Sequence, residues 1–153
     1  MKLHTTTDYG IRVMCCLYNK DKLITANELS EQLSISYGYL NKVLGCLIQA
    51  GMVEAFHGRF GGYQIVKNAR KITLYDIIQV MQGDIQISSC LGNDRFCSRD
   101  ATETCLVRVA LQSAQEVLVD NLRSVRLSAI SETTKLDMGD IHTVIQRSLG
   151  APD

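Results

Sequence analysis

The residues best equipped for chemistry are Cys90, Cys97 and Cys105, spaced C-x6-C-x7-C through a segment that also carries Gly92, Asn93, Asp94 and Asp100. A free thiol packs as a small hydrophobe, so a structural cysteine is expected in an apolar run. These three lie in a polar stretch with almost no apolar periodicity. Soft thiolates gathered in one segment suit zinc, Cu(I) or an iron–sulfur cluster. Three ligands leave a fourth position open or supplied from elsewhere, which is what a sensor of a small molecule requires. The spacing is neither the C-x2-C pair of zinc modules nor the tight run of bacterial ferredoxins. The plainer alternative is an oxidisable loop, or one disulfide with a spare thiol.

Such a loop needs firm elements on both sides. Before it, Thr73-Leu74-Tyr75-Asp76 forms a capping box that opens a helix to Gln82, with Gly83 as its stop. After it, Thr104 to about Ser124 reads as a long helix, apolar at Leu106, Val109, Ala110, Ala114, Val117 and Leu122. That stripe exceeds what one small domain needs, and a second copy of the chain is its simplest partner.

The first part of the chain shows what the loop would serve. Thr5 to Tyr18 has helical spacing, with Tyr9, Val13, Met14 and Leu17 on one side. Thr25-Ala26-Asn27-Glu28 is another capping box, opening a short helix to Leu33. Ser36 is an N-cap for a third helix over 37–50, whose apolar face is Leu40, Val43, Leu44, Leu47 and Ile48, stopped by Gly51. Two helices joined by a tight turn make a helix-turn-helix. Met52–Phe56 and Tyr63–Val66 alternate like strands around His57-Gly58-Arg59-Phe60-Gly61-Gly62, a hairpin with a glycine-rich tip, hence a wing. Ser36, Tyr37, Tyr39, Asn41 and Lys42 crowd the N-terminal end of the third helix, where side chains meet bases and phosphates. Arg59 can enter a narrow minor groove, and Gly61 and Gly62 allow close approach to a phosphate backbone. His57 reads as a surface residue, and Cys15, Cys16 and Cys46, within helices, as core.

Composition permits this reading and excludes others. The 153 residues are 46% hydrophobic with a single Pro, a folded helix-rich chain. No apolar run approaches the ~20 residues of a membrane span, and the first residues lack a secretory apolar region. Six cysteines without an export signal imply reduced thiols in the cytoplasm. Net charge is zero but uneven: residues 1–70 hold eight Lys/Arg against five Asp/Glu, and residues 71–153 eight against eleven. A mildly basic half beside an acidic one allows a local nucleic-acid footprint. No Ser/His/Asp set, paired carboxylates or phosphate-cradling loop points to an enzyme or to an electron carrier.

Taken together, Met1-Lys2-Leu3, Thr7-Asp8-Tyr9-Gly10-Ile11-Arg12, Ser36-Tyr37-Gly38-Tyr39-Leu40, Ala50-Gly51-Met52-Val53, Gly58-Arg59-Phe60-Gly61-Gly62-Tyr63, Ile72–Ile78 and the three cysteines resemble the winged-helix iron–sulfur regulators that include IscR, NsrR and RirA. The resemblance covers roughly residues 1–130. It implies a mainly α fold: a winged helix-turn-helix domain over 1–83, a cluster-binding loop over 84–103, and a dimerisation helix with tail over 104–153. It implies a homodimer on palindromic promoter DNA, acting as a repressor. IscR-like members carry histidine three residues after the third cysteine, where this chain has Arg108. NsrR-like members, which sense nitric oxide with a [4Fe-4S] cluster, use an aspartate of the partner's first helix, and Asp8 stands in the matching context. The resemblance thus implies Cys90, Cys97 and Cys105 with Asp8 from the other subunit, and [4Fe-4S] over [2Fe-2S]. The same fold with thiol oxidation or zinc at the three cysteines is the rival expectation.

Overall fold

The structure, a computed structural model, describes residues 2–20, 22–66, 68–92, 97 and 101–131. From Ile141 to Leu149 the sequence reads as a weak helix, and those residues lie outside the described ones. Helix α1 spans Thr5–Tyr18, α2 Ala26–Leu33 and α3 Tyr37–Gln49. Strands β1 (Val53–Phe56) and β2 (Gly62–Ile65) follow, then α4 (Leu74–Gln82), α5 (Leu106–Ser124) and α6 (Leu127–Ser131).

One core binds these elements. Val13, Met14 and Leu17 of α1 meet Leu29 of α2, Leu40, Val43, Leu44 and Leu47 of α3, and Ile77 of α4. The i, i+3/i+4 spacing of these side chains is why each helix can turn one stripe inward. Ile48 does not join them: it is 36% exposed, one position past the buried stripe. Cys46 is exposed and Cys15 and Cys16 are half-buried, so none of the three is a fully buried core residue.

Both capping boxes form as the sequence predicts. The Thr25 hydroxyl accepts from the Glu28 amide, and the Glu28 carboxylate accepts from the Thr25 amide at 2.8 Å. Thr73 and Asp76 repeat the exchange at the start of α4. Ser36 occupies the N-cap of α3, but its hydroxyl makes no capping bond. The turn between α2 and α3 is sharp because Ser34 takes a left-handed conformation, φ 52°. Ile35 then drops into the core, and the Ser30 hydroxyl donates to its carbonyl at 2.6 Å.

The hairpin is antiparallel, pairing Val53 with Ile65 and Phe56 with Gly62. Ile24 and Tyr63 exchange backbone hydrogen bonds at 3.1 and 2.8 Å, so the segment before α2 lies alongside β2. The hairpin is thereby fixed to the helix-turn-helix.

The chain crosses back after α5. Arg126 bridges Thr73, the Leu127 amide donates to the Ile72 carbonyl at 2.8 Å, and Leu127 is fully buried in the common core. Residues 125–131 therefore pack with the winged-helix body, although they follow the long helix in sequence.

Candidate nucleic-acid interface and thiol segment

On α3, every polar position singled out in the sequence faces solvent. Ser36, Asn41 and Lys42 are exposed, and Tyr37 and Tyr39 are 53% and 51% exposed. Tyr39 is held in place without being buried. The ring of Tyr9 meets it edge-on at 6.2 Å, and the Lys42 ammonium lies 5.7 Å from its centroid. Neither tyrosine belongs to the core.

The wing is built by its glycines. Gly58 has φ +107°, and a Cβ on Gly61 would come within 2.2 Å of the Phe56 carbonyl oxygen. A side chain at position 61 would force the tip open. Gly62 is buried against Leu23 and Ile24, so it shapes the hairpin and presents no surface of its own. Arg59 stands exposed at the tip with its guanidinium 5.9 Å from the Phe60 ring, and Phe60 is 87% exposed. His57 is exposed beside it.

Cys90 does not lie in an open loop. It sits on a single 3-10 turn, Ser89–Leu91, with its sulfur 3.2 Å from the Ser88 hydroxyl. Cys105 is the N-cap residue of α5, and Cys90, Cys97 and Cys105 are all half-buried. Two side chains of α5 brace the segment. Arg108 Nε donates to the Cys90 carbonyl at 3.1 Å, and Gln115 Oε1 accepts from the Ile87 amide at 3.1 Å. Neither brace is legible in the local sequence pattern. Their signal was positional, since Arg108 stands one turn and Gln115 three turns beyond Cys105. Among the described residues no three His, Cys, Asp or Glu side chains converge as a ready metal site. The donor set nonetheless fits soft iron or zinc chemistry: three sulfurs, two of them fixed where the segment leaves the body and where it enters α5.

Asp8 lies in the first turn of α1, half exposed, and pairs with Arg12 one turn on at 2.8 Å. The same turn is latched to the end of α4, where Gln82 Oε1 accepts from the Thr7 hydroxyl at 2.8 Å and from the His4 amide at 3.1 Å. Gln82 thus ties the start of α1 to the residues that lead into the thiol segment.

Two further thiols lie side by side on α1. Burial pushes the Cys15 thiol up from its ordinary range, partly offset by a hydrogen bond with Ser131, and burial raises Cys16 as well, opposed by Lys20. Along α5 no residue is buried, and Leu106, Val107, Val109 and Val117 are each more than 60% exposed. No described helix is long and apolar enough to cross a membrane.

A helix-turn-helix followed directly by a preformed wing defines a winged-helix transcriptional regulator, a non-enzymatic role. The chain belongs to the Rrf2 family, described as iron-dependent transcriptional regulators, whose pattern matches residues 3–133. It is 31% identical over 97 residues to the HTH-type transcriptional regulator NsrR of Bacillus licheniformis, covering 62% of this chain and 68% of that one. Among solved structures it is similar to a transcriptional regulator from Listeria innocua, with 26% identity, TM-score 0.73 and 90% of each chain covered. It also shares its fold with CymR, the global cysteine regulator of B. subtilis, at 24% identity and TM-score 0.67, covering 88% of this chain and 99% of that one.

Proposed function

We propose that this chain is a homodimeric repressor on a palindromic operator, switched by an iron–sulfur cluster held by Cys90, Cys97 and Cys105 with Asp8 of a second copy. The observation that carries the reading is the bracing of the thiol segment between α4 and α5, with two of its three cysteines fixed at its ends. Cys90 is tied by Arg108, Cys105 opens α5, and Asp8 lies on an exposed turn latched to α4 through Gln82. The division into a DNA-binding body, a thiol segment and a dimerisation helix belongs to the same proposal, with residues 125–131 joined to the body.

When bound, such a cluster supplies iron open to nitric oxide or an oxidant, with a carboxylate oxygen as its hardest donor. The chain's own residues do the rest. Ser36, Tyr37, Tyr39, Asn41 and Lys42 enter the major groove, while Arg59 follows the minor groove. Asp8 leaves its exposed ion pair with Arg12 to reach the other copy. In doing so it fixes the separation of the two α3 helices. Releasing Asp8 frees that separation, and the two half-sites are no longer matched. Arg108 stands where IscR-like regulators use histidine, and its bond to the Cys90 carbonyl commits it to bracing, which favours the NsrR-like donor set and [4Fe-4S].

A second reading uses the same three half-buried thiols, none of them in a disulfide. In that reading they are oxidised, or take zinc, without a cluster. An anaerobic absorbance spectrum with iron and sulfide counts separates the two. The cluster reading expects a broad band near ~410 nm, about four irons per subunit, bleaching by nitric oxide, and weaker operator binding once bleached. A colourless, iron-free anaerobic protein moves the switch to the thiols themselves. Equal operator affinity with and without the cluster would falsify the switch.

A further inference from the structure

We propose that Phe60 is a wedge that inserts between base pairs in the DNA minor groove and partly unstacks one step. The inference rests on the DNA-binding reading above and adds a deforming contact to it. The distribution of aromatic rings points there. Among the described residues, the exposed aromatics are Tyr37, Tyr39, Phe56 and Phe60, and all four lie on α3 or the hairpin. The remaining described aromatics are half-buried. Phe60 is the extreme case at 87% exposed, and it has no polar atom to use water. A ring kept in water gives up most of the transfer free energy that burial would supply. Its position at the tip is not the result of a slack loop. Gly61 donates to the Gly58 carbonyl at 3.0 Å, a Cβ at Gly61 would clash with the Phe56 carbonyl, and Tyr63 is bonded to Ile24.

Charge and ring are also coupled at the tip. Arg59 lies over the Phe60 ring at 5.9 Å, so a cation that follows the phosphates of a narrow groove carries the ring with it. Proteins that enter the minor groove use this combination: Arg or Lys for the groove's negative potential, and an apolar side chain to unstack a step and bend the duplex by roughly 20–90°. The flexible pyrimidine–purine steps are the ones such a wedge enters at least cost. Phe60 therefore reads deformability at a position where no base edge is hydrogen-bonded.

The test uses the full-length protein and a pool of 30-base-pair duplexes with a randomised core, from which binding sequences are selected. In a selected duplex, 2-aminopurine is placed at successive steps beneath the wing. Wild-type protein should raise its fluorescence at one step per half-site and slow the complex in a phased bending assay. Phe60→Ala should abolish both signals and weaken binding about 10–100-fold. Phe60→Leu, still an apolar wedge, should keep a reduced signal. The ring is exposed, so both variants should melt with the wild type. Silent 2-aminopurine at every step, or equal bending by Phe60→Ala, overturns the wedge and leaves DNA binding standing. Loss of self-association in Phe60→Ala places the ring in a protein contact and also overturns it. A selection that enriches no duplex overturns both readings.

Discussion

Asp8 shows how little holds the proposed fourth ligand in place. Its ion pair with Arg12 is short, but both side chains are about half exposed. An exposed pair one turn apart on a helix is worth about 0.3–0.5 kcal/mol, and less at high salt. Asp8 is therefore oriented by the helix and easily released. Asp8→Ala should move thermal stability by no more than about 0.5 kcal/mol while lowering the iron retained after anaerobic gel filtration. Equal iron retention would remove Asp8 from the proposed ligand set without touching the cysteines. Gly61 is the opposite case, since no rotamer relieves a Cβ placed 2.2 Å from a backbone oxygen. Gly61→Ala should splay the wing and weaken operator binding at least ~10-fold, as both Arg59 and Phe60 lose their position. Hairpin amide shifts in NMR spectra, with α3 unchanged, would locate the damage.

At the scale of elements, the capping boxes are where sequence and structure agree most closely, because every atom they need lies within four residues. Thr25→Ala should cost about 1 kcal/mol, read from denaturant midpoints. The box also has a pH signature. Bonds from the Thr25 amide and hydroxyl hold the Glu28 carboxyl below its ordinary value of 4.5. A lowered folded-state pKa means this contribution is present above 4.5 and is lost as pH falls through the folded value. Wild type should therefore shed a small increment of stability on acidification below pH 4.5 that Thr25→Ala lacks. Other local features were equally legible: the extents of α1 and α2, the glycine stop at Gly51, and the hairpin around Gly58–Gly62. What required the fold was long-range. Periodicity identifies the inward stripe of α3 but not its edge, where Ile48 and Cys46 meet solvent. The polar run after Gly83 gave no hint that Cys90 would sit on a turn braced by Arg108 and Gln115, because those contacts span 18 and 28 residues. The three thiols are legible as a donor set, and the bracing of their segment is not.

For the whole molecule, the telling feature is that α5 runs for 19 residues without a buried side chain, although both its ends are anchored. From its first turn to its middle, Arg108 and Gln115 grip the thiol segment. At its end the Arg123 guanidinium stacks 4.5 Å over Tyr75, and Val125 and Leu127 enter the body. A helix held at both ends with apolar side chains on its outer surface is a strut, and the proposed dimer gives that surface its partner. Covering Leu106, Val109 and Val117 with their counterparts would supply on the order of 1.5–3 kcal/mol each. The two functions of the segment can be separated by substitution. Val109→Asp with Val117→Asp should yield a monomer by sedimentation, with the core of 1–83 and 125–131 intact by circular dichroism. Operator binding should then fall steeply, because one half-site no longer supports the other. Leu127→Ala should act in the reverse order, costing about 2–5 kcal/mol of stability through a cavity in the common core. If the two aspartates leave self-association unchanged, the exposed stripe is not the interface and the second copy must meet this chain elsewhere. Asp8 would then need another route to the thiols, so that one sedimentation profile tests the α5 interface and, with it, the geometry by which Asp8 would reach the other copy.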